Sequence, residues 1–224
     1  MDKRILLNYG TFQVDRMVFS KDPKPKHAKR LSNPIHNDLI HVDIDSAPVQ
    51  IPPANSSPQT LHELKQMAND IAAIGVEEQQ RIVKKDDSSF EWRFEKICKK
   101  YNLRWNQTYF DQLIDESGDL ILNLKYRWNR PRPFQLAPKL GVEMHVSKAY
   151  TASSPSFPSG HSAQSQLIAD VLSKLYPSHT ELFQAIPEKV AYSRYIGGLH
   201  FPSDLDYGKQ IGRWLANNTS TRHY

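Results

Sequence analysis

From residue 60 onward, apolar residues recur at the spacing of an α-helix. After Thr60, the side chains of Leu64, Met67, Ile71 and Ile74 fall on one face, because residues three and four positions apart are neighbours on a helix. A helix with one apolar face must bury that face against another element. The pattern therefore favours a bundle of helices. A chain of 224 residues suffices for one well-packed domain with an appendage and is short for two full domains.

The periodicity predicts about six helical regions, so the predicted fold class is all-α. They begin at Thr60, near Ser88, near Thr108, at Gly160 or His161, at Thr180 and at Pro202, and the last ends near Ala216. Glu63 and Glu91 lie three residues after the first two starts, as in a capping box. Gly118 is a potential break in the third region, and Pro187 a start or kink in the fifth. Residues 59–224 are thus predicted to form a helical domain.

Residues 1–58 have a different character. Seven of the fifteen prolines lie between Pro23 and Pro58, which excludes continuous helix. Ile5–Val18 and Leu39–Ile51 alternate partly and suit short strands or an extended arm. The basic stretch Lys21–Arg30 lacks interleaved aromatic residues, so we interpret it as a solvated surface rather than a nucleic-acid site. This extension is expected to wrap over the helical body or to be partly disordered.

Composition limits the compartment and partners only weakly. The net charge of +5 favours anionic partners but also serves solubility. The one cysteine, Cys98, lies in a helical pattern and gives no sign of a disulfide-stapled product. No window is apolar enough to span a membrane, and the N-terminus does not resemble a signal peptide, so the expected location is cytoplasmic. The oligomeric state is open, and a homodimer is compatible with the sequence.

Three short segments carry residues suited to anion binding or catalysis. In the first, Lys125 is predicted in the last turn of the third helix, and Pro131 and Pro133 force an extended chain after it. Lys125 and Arg132 can then reach one anion from different directions. The same cations could instead complement a helix dipole.

The second segment is Pro158-Ser159-Gly160-His161, just before the fourth helix. Ser159 resembles an N-cap, and Gly160 allows a ligand to approach the backbone closely. Amide groups that open a helix bind anions, and His161 would stand beside them with a side chain that titrates near neutral pH. An ordinary junction between a loop and a helix would look similar.

The third segment runs from Ser193-Arg194 to Asp204. Gly197 and Gly198 end the fifth helix, and His200 and Asp204 are four residues apart. A short turn can bring the Asp204 carboxylate to one imidazole nitrogen, leaving the other nitrogen free to attack. Gly208 and Gly212 continue the face of Asp204, which indicates close packing of the sixth helix.

Together the three segments resemble the signature of the phosphatidic acid phosphatase type 2 / vanadium haloperoxidase superfamily. That signature reads K-x6-R-P, P-S-G-H and S-R-x5-H-x3-D, and all eleven specified residues occur here in order, within residues 106–216. The resemblance implies that His200 is the nucleophile, that Asp204 orients it and that His161 is the general acid and base. It implies phosphate binding by Lys125, Arg132, Ser159, Gly160 and Arg194.

The implied function is a metal-independent phosphatase for phosphomonoesters, or for lipid phosphates or diphosphates, that forms a phosphohistidine and is inhibited by vanadate. No cofactor is expected, and the remaining histidines are too scattered to suggest a metal site. They include His27, His36, His41, His62 and His145. The expected partner is a small phosphorylated substrate. Side chains that could line a leaving-group pocket, or belong to the core, are Tyr126, Trp128, Phe134, Tyr150 and Phe157.

Two alternatives belong to other functional classes. A vanadium-dependent haloperoxidase would bind vanadate with the same set of phosphate-binding residues, although known relatives of that type are usually longer. A non-catalytic phosphate-binding protein would need the cations but not the pairing of Asp204 with His200.

Overall fold

The computed structural model describes residues 12–33, 38–149 and 151–224, and in these ranges the chain is α-helical without β-strands. The α-helices with defined ends are α1 (Pro25–Ser32), α2 (Pro58–Ile74), α3 (Val76–Asp86), α4 (Trp92–Lys100), α5 (Gln107–Trp128), α6 (Pro133–Leu136), α7 (Gly160–Leu175), α8 (Thr180–Ile196) and α9 (Pro202–Asn217). Short 3₁₀ turns lie at Ile44–Ser46, Ala137–Leu140 and Pro177–His179. The all-α prediction is confirmed.

Helix α7 lies at the centre of the bundle, packed against α8 and α9 and also against α5. Its inward residues Leu167, Ile168, Val171 and Leu172 are fully buried in the main apolar cluster. Burial of this kind stabilises the fold by roughly 25 cal/mol per Å² of apolar surface. Because the N-terminus of α7 carries the second motif, the best-packed helix also fixes that part of the site.

Helix α9 packs against α7 at two glycines. A Cβ atom added at Gly208 would lie 2.6 Å from the carbonyl oxygen of Ser159, and one at Gly212 would collide with the carbonyl oxygen of Ala163. Only glycine permits this approach of the two backbones. The close packing predicted for the sixth helical region is therefore confirmed.

The structure contains the six predicted helical regions and adds α1, α3 and α6 to them. Some predicted details were wrong. The N-cap of α2 is Ser57 rather than Thr60, because Pro58 occupies the first helical position and the Ser57 hydroxyl accepts the amide of Thr60. The Ser88–Glu91 box is absent, and Glu91 itself precedes α4. Helix α5 continues through Gly118, where a Cβ would lie 3.0 Å from an Arg30 nitrogen.

The predicted short strands do not form in the described part of the N-terminal region. Residues 12–15 make a helical turn, and Ile5–Thr11 lie outside the described residues. At Leu39 and Ile40 the backbone amides donate to the carboxylate of Glu116 on α5 instead of to a neighbouring strand. An isolated bridge from Ile40 to Thr219 completes this anchor. Around Leu39 and Ile40 the extension thus lies against the helical body, which was one of the two arrangements expected from the sequence.

Among the described residues, none of the helices combines the length and apolar character needed to cross a bilayer.

Candidate active site

The three predicted segments meet at one cavity of about 380 Å³. Lys125 comes from the end of α5, Arg132 from the extended chain before α6, Gly160 and His161 from the start of α7, and Arg194 from the end of α8. His200 lies in the turn before α9, and these six residues line the cavity. The volume falls at the lower end of the range for small-molecule sites, about 300–1,000 Å³. The fold therefore brings together residues that are up to 75 positions apart in the sequence.

Lys125 lies in the last turn of α5, as predicted, and is buried. Its Nζ donates to the carbonyl oxygens of Pro155 at 2.8 Å and Ser156 at 3.4 Å. Burial, with a smaller contribution from nearby Arg132, holds the pKa of Lys125 well below its ordinary value. An anion in the cavity would oppose this shift and favour the ammonium form.

Arg132 fixes the orientation of the His200 ring. Its NH1 donates to the carbonyl oxygen of Leu199 at 3.0 Å and lies 3.2 Å from His200 Nε2. Burial lowers the pKa of Arg132 to about 9, so the guanidinium stays charged at neutral pH. A guanidinium can only donate, and Nε2 must therefore present its lone pair toward Arg132 NH1.

On the other side of the ring, His200 Nδ1 lies 3.5 Å from Oδ2 of Asp204. That carboxylate oxygen also accepts the hydroxyl of Ser156 and, at 2.9 Å, the amide of Phe201. The carboxylate and the Arg132 contact together favour the tautomer with the proton on Nδ1. Burial, followed by the charge of Arg132, keeps the pKa of His200 well below its ordinary value.

The start of α7 forms one wall of the cavity. The hydroxyl of Ser159 accepts the amide of Ser162 at 3.4 Å and so caps the helix as predicted. Ser159 is fully buried and is not among the described residues that line the cavity, so its direct part in phosphate binding stays a prediction. Gly160 does line it, and the first amides of a helix have no partner within the helix. This wall can therefore donate to an anion.

Arg194 has donors that no protein group within the described residues uses. Its NH2 donates to Asp87 Oδ1 at 3.0 Å, whereas its Nε and NH1 are buried without a hydrogen-bond partner. Unsatisfied buried donors are costly, by about 1–3 kcal/mol or more for a charged group. A ligand with several acceptor oxygens in the cavity would satisfy them.

His161 lies beside Arg194 with its ring against Phe90, at 5.7 Å between centroids. Its Nε2 is 3.3 Å from the carbonyl oxygen of Asp87. Burial, and then the charge of Arg194, lower the pKa of His161 to about 3. These surroundings therefore favour a neutral imidazole, and a bound dianion would raise its pKa.

Three contributors to the site were missed by sequence reasoning. Arg130 NH1 donates to Asp204 Oδ1 at 2.6 Å and to the Ser203 hydroxyl at 2.9 Å, and its guanidinium lies 4.0 Å above the ring of Phe201. The hydroxyl of Ser156 donates to Oδ2 of Asp204. Burial alone would raise the pKa of Asp204, but Arg130 and the hydrogen bonds outweigh it and the pKa is lowered.

Asp87 is the third. It directly follows α3, and carboxylates are unfavourable at a helix C-terminus because of the helix dipole. Two adjacent aspartates at the end of a helix therefore indicate that cations elsewhere in the fold stabilise both carboxylates. Asp86 pairs with Arg93 at 2.7 Å, and Asp87 pairs with Arg194.

The basic stretch Lys21–Arg30, interpreted above as a solvated surface, takes part in the mouth of the cavity. Lys26, His27 and Arg30 on α1 line it. Arg30 Nε pairs with Asp119 at 2.6 Å, and His27 Nδ1 lies 3.0 Å from the Tyr126 hydroxyl, so α1 is held against α5. The earlier interpretation was wrong for His27 and Arg30, because their partners on α5 lie 99 and 89 positions away and leave no local signal. Lys26 is exposed, as expected.

The aromatic candidates for a leaving-group pocket do not line the cavity in the described part of the chain. Phe157 is fully buried and stacks on Tyr207 at 4.5 Å between ring centroids, as a core residue does. Trp128 packs edge-on against Phe157. Tyr150 lies outside the described residues.

The remaining histidines are dispersed. His145 contacts Gln79, while His41 and His62 are exposed, and His36 lies outside the described residues. In the described ranges, no group of three or more His, Cys, Asp or Glu side chains is placed to hold a metal ion.

Comparison with known proteins identifies one similar sequence and two similar folds. A non-specific acid phosphatase of Salmonella typhi is 40% identical over 57 residues, which are 25% of this chain and 23% of that protein, so less than a quarter of the relative's length is matched. The fold is similar to a bacterial vanadium-dependent iodoperoxidase (TM-score 0.50, 17% identity, 79% of this chain and 53% of the other). It is also similar to a transmembrane PAP2-type phosphatidylglycerolphosphate phosphatase from Bacillus subtilis (TM-score 0.50, 22% identity, 72% of this chain and 85% of the other).

The sequence model of the PAP2 superfamily matches residues 116–221, a span that includes every one of the eight predicted site residues. Residues 116–221, which supply most of the side chains that line the cavity, are thus similar in sequence to the PAP2 superfamily.

Proposed function

We propose that the protein is a phosphoric ester hydrolase that cleaves phosphomonoesters through a phosphohistidine on Nε2 of His200. The observation that carries the proposal is the arrangement around that atom. Nε2 faces Arg132 NH1 at 3.2 Å, in a cavity where two buried donors of Arg194 have no partner in the described part of the protein. This combination offers a nucleophile beside a site for phosphate oxygens.

In the first step Nε2 of His200 forms a bond to phosphorus, and the bond from phosphorus to the leaving oxygen breaks. The leaving oxygen takes a proton from His161. The ring of His200 gains positive charge, which the Asp204 carboxylate stabilises from Nδ1. In the second step His161 takes a proton from water, the water oxygen attacks phosphorus, and the bond from phosphorus to Nε2 breaks to release phosphate.

The charges of the cage suit a phosphate dianion. Arg194 is paired with Asp87, and Arg130 neutralises Asp204, which leaves Lys125 and Arg132 as the cations without a carboxylate of their own within ion-pairing distance among the described residues. Charge-assisted hydrogen bonds from these groups are stronger than neutral ones. Fixed cations of this kind can stabilise the transferring phosphoryl group, and we therefore propose that turnover needs no metal ion.

The decisive experiment is phosphate release from p-nitrophenyl phosphate by the full chain, with and without EDTA. We expect release in both conditions, inhibition by orthovanadate, and a labelled phosphohistidine in acid-sensitive, base-stable form. His200→Ala should abolish turnover, His161→Ala should slow it while still allowing some phosphoenzyme with a good leaving group, and His62→Ala is the exposed control. Wild-type turnover in His200→Ala, or full loss in EDTA with rescue by a divalent metal, would contradict the mechanism.

The same preparation separates the alternatives. Bromide oxidation with vanadate and peroxide, without phosphate release, would indicate a haloperoxidase. Saturable binding of inorganic phosphate without release from any ester would indicate a binding protein. For the substrate, the small volume and the charged mouth of the cavity favour a compact phosphomonoester over a lipid phosphate. A cytoplasmic location is likewise part of the proposal, and fractionation of the native protein tests it.

A further inference from the structure

We propose that Asp87 is a positioning residue of the phosphate cage, holding Arg194 with its carboxylate and His161 with its backbone carbonyl. The inference rests on the proposed function and extends it to an element outside the superfamily region of residues 116–221. Asp87 follows α3, and none of the three motifs includes it.

The carboxylate is placed to aim the guanidinium of Arg194. Asp87 Oδ1 accepts NH2 of Arg194 at 3.0 Å and the hydroxyl of Thr151 at 2.7 Å. Both the arginine and the aspartate are buried, so water competes little for this contact. With NH2 fixed in this way, Nε and NH1 are the donors left for a ligand.

The backbone of the same residue is placed to hold His161. Its carbonyl oxygen lies 3.3 Å from His161 Nε2 and can only accept, so Nε2 carries the hydrogen in this arrangement. Nδ1 is then the nitrogen that exchanges a proton with the leaving oxygen. The negative charge of Asp87 also favours a protonated His161, whereas Arg194 disfavours it.

Two contacts hold Asp87 in place. Buried Gln79 on α3 donates through Nε2 to the carbonyl oxygen of Ile196 at 2.7 Å, which docks α3 on the end of α8 beside Arg194. Asp86 makes two hydrogen bonds with Arg93, at 2.7 and 3.0 Å, and anchors the chain that leaves α3. A residue that touches two parts of the cage is therefore itself rigidly supported.

The test compares Asp87→Ala with Asp87→Asn. The asparagine keeps an oxygen that can accept from Arg194 but removes the charge, whereas alanine removes both. We expect Asp87→Ala to raise the KM for p-nitrophenyl phosphate and the inhibition constant of inorganic phosphate about tenfold, and Asp87→Asn to restore both to within about twofold of the wild type.

A second readout distinguishes positioning from simple stability. The groups facing the His161 ring are Arg194, the carboxylate and carbonyl of Asp87, the backbone of Asp86 and the ring of Phe90. Because both variants remove the Asp87 charge, which favours protonated His161, the limb of the pH profile of kcat that reports His161 protonation should move to lower pH in both. Asp45→Asn, which removes an exposed aspartate paired with Arg127, is the matched control and should leave KM and the pH profile unchanged.

Wild-type KM, phosphate inhibition and pH profile in Asp87→Ala would overturn the inference. If Asp87→Ala does not fold, the pH profile of Asp87→Asn alone decides, and an unshifted limb would count against the role. Failure of the proposed function looks different, because the wild-type protein itself would then release no phosphate.

Discussion

Arg130 and Asp204 form an ion pair that solvent does not reach: NH1 lies 2.6 Å from Oδ1, and the side chains are 1% and 0% exposed. The pair places a neutralising cation behind the carboxylate that faces His200. Asp204 can therefore be buried as an anion beside the proposed nucleophile. The low pKa of Asp204 follows from this contact and from the hydrogen bonds of His200 and Ser156.

Removing Arg130 should destabilise the fold strongly. Arg130→Met leaves the Asp204 charge buried without its partner, which typically costs about 3–5 kcal/mol. Urea unfolding monitored by circular dichroism measures this loss. Arg127→Met is the control, since its pair with Asp45 is exposed and such pairs contribute about 0–1 kcal/mol. Similar losses in the two variants would show that the Arg130 pair does not have this role.

The catalytic efficiency should be highest at acidic pH. Because the pKa of His200 is held well below its ordinary value of 6.5, the nucleophile remains unprotonated as the pH falls through 6.5. Burial and the charge of Arg194 lower the pKa of His161 to about 3, so its protonated form increases only at low pH. We expect kcat/KM, which reports on the free enzyme, to be highest at acidic pH.

The profile of kcat should extend to higher pH than that of kcat/KM. A bound phosphate dianion favours protonated His161, so the limb that reports this residue shifts upward in the complex. Initial rates on p-nitrophenyl phosphate from pH 3 to 9 give both profiles. Coincident basic limbs would contradict the proposed coupling between the ligand and His161.

Phosphate and vanadate should stabilise the folded protein. Either anion would satisfy Nε and NH1 of Arg194, which have no partner among residues 12–33, 38–149 and 151–224. A ligand that binds only the folded state raises its stability in proportion to the logarithm of the ligand concentration. Thermal unfolding at increasing phosphate concentration measures the effect at constant ionic strength. The rise in Tm should be lost in Arg194→Gln and kept in Arg213→Gln, an exposed arginine on α9. A rise of equal size in both variants would place the anion elsewhere.

The glycines between α9 and α7 should be far less tolerant than the glycine of the second motif. Gly208→Ala places a Cβ 2.6 Å from the carbonyl oxygen of Ser159 and should cost about 1–3 kcal/mol, because backbone must move. At Gly160 the nearest atoms to an added Cβ are side-chain atoms of Ile121 and Lys125 at 3.8 Å, an ordinary contact. Urea midpoints compare the two, and a Gly160→Ala loss as large as that of Gly208→Ala would refute the packing argument.

Local patterns in the sequence were sufficient to predict several parts of the fold. The periodic stripes located α5, α7, α8 and α9 to within a few residues, because amphipathic helices must bury one face whatever their partners are. The Ser159 cap and the turn between Arg194 and Pro202 also follow from local chemistry. The cage residues were found because they lie in three recognisable short motifs.

The prediction of short strands in the N-terminal region was wrong for a physical reason. Apolar and polar residues alternate from Ile40 to Ile44, but the amides of Leu39 and Ile40 donate to a carboxylate on α5 rather than to another strand. Hydrogen-bond partners of this kind are set by which surfaces meet, and a short stretch of sequence does not contain that information.

The sequence by itself determined the helical class of this protein and named the eight residues of the proposed cage, since both depend on spacing within short segments. Only the tertiary structure decided which charges neutralise that cage: Arg130 behind Asp204, and Asp87 beside Arg194. Coulombic interactions act over a few ångströms in space and are indifferent to separation along the chain, which is 74 residues for one pair and 107 for the other.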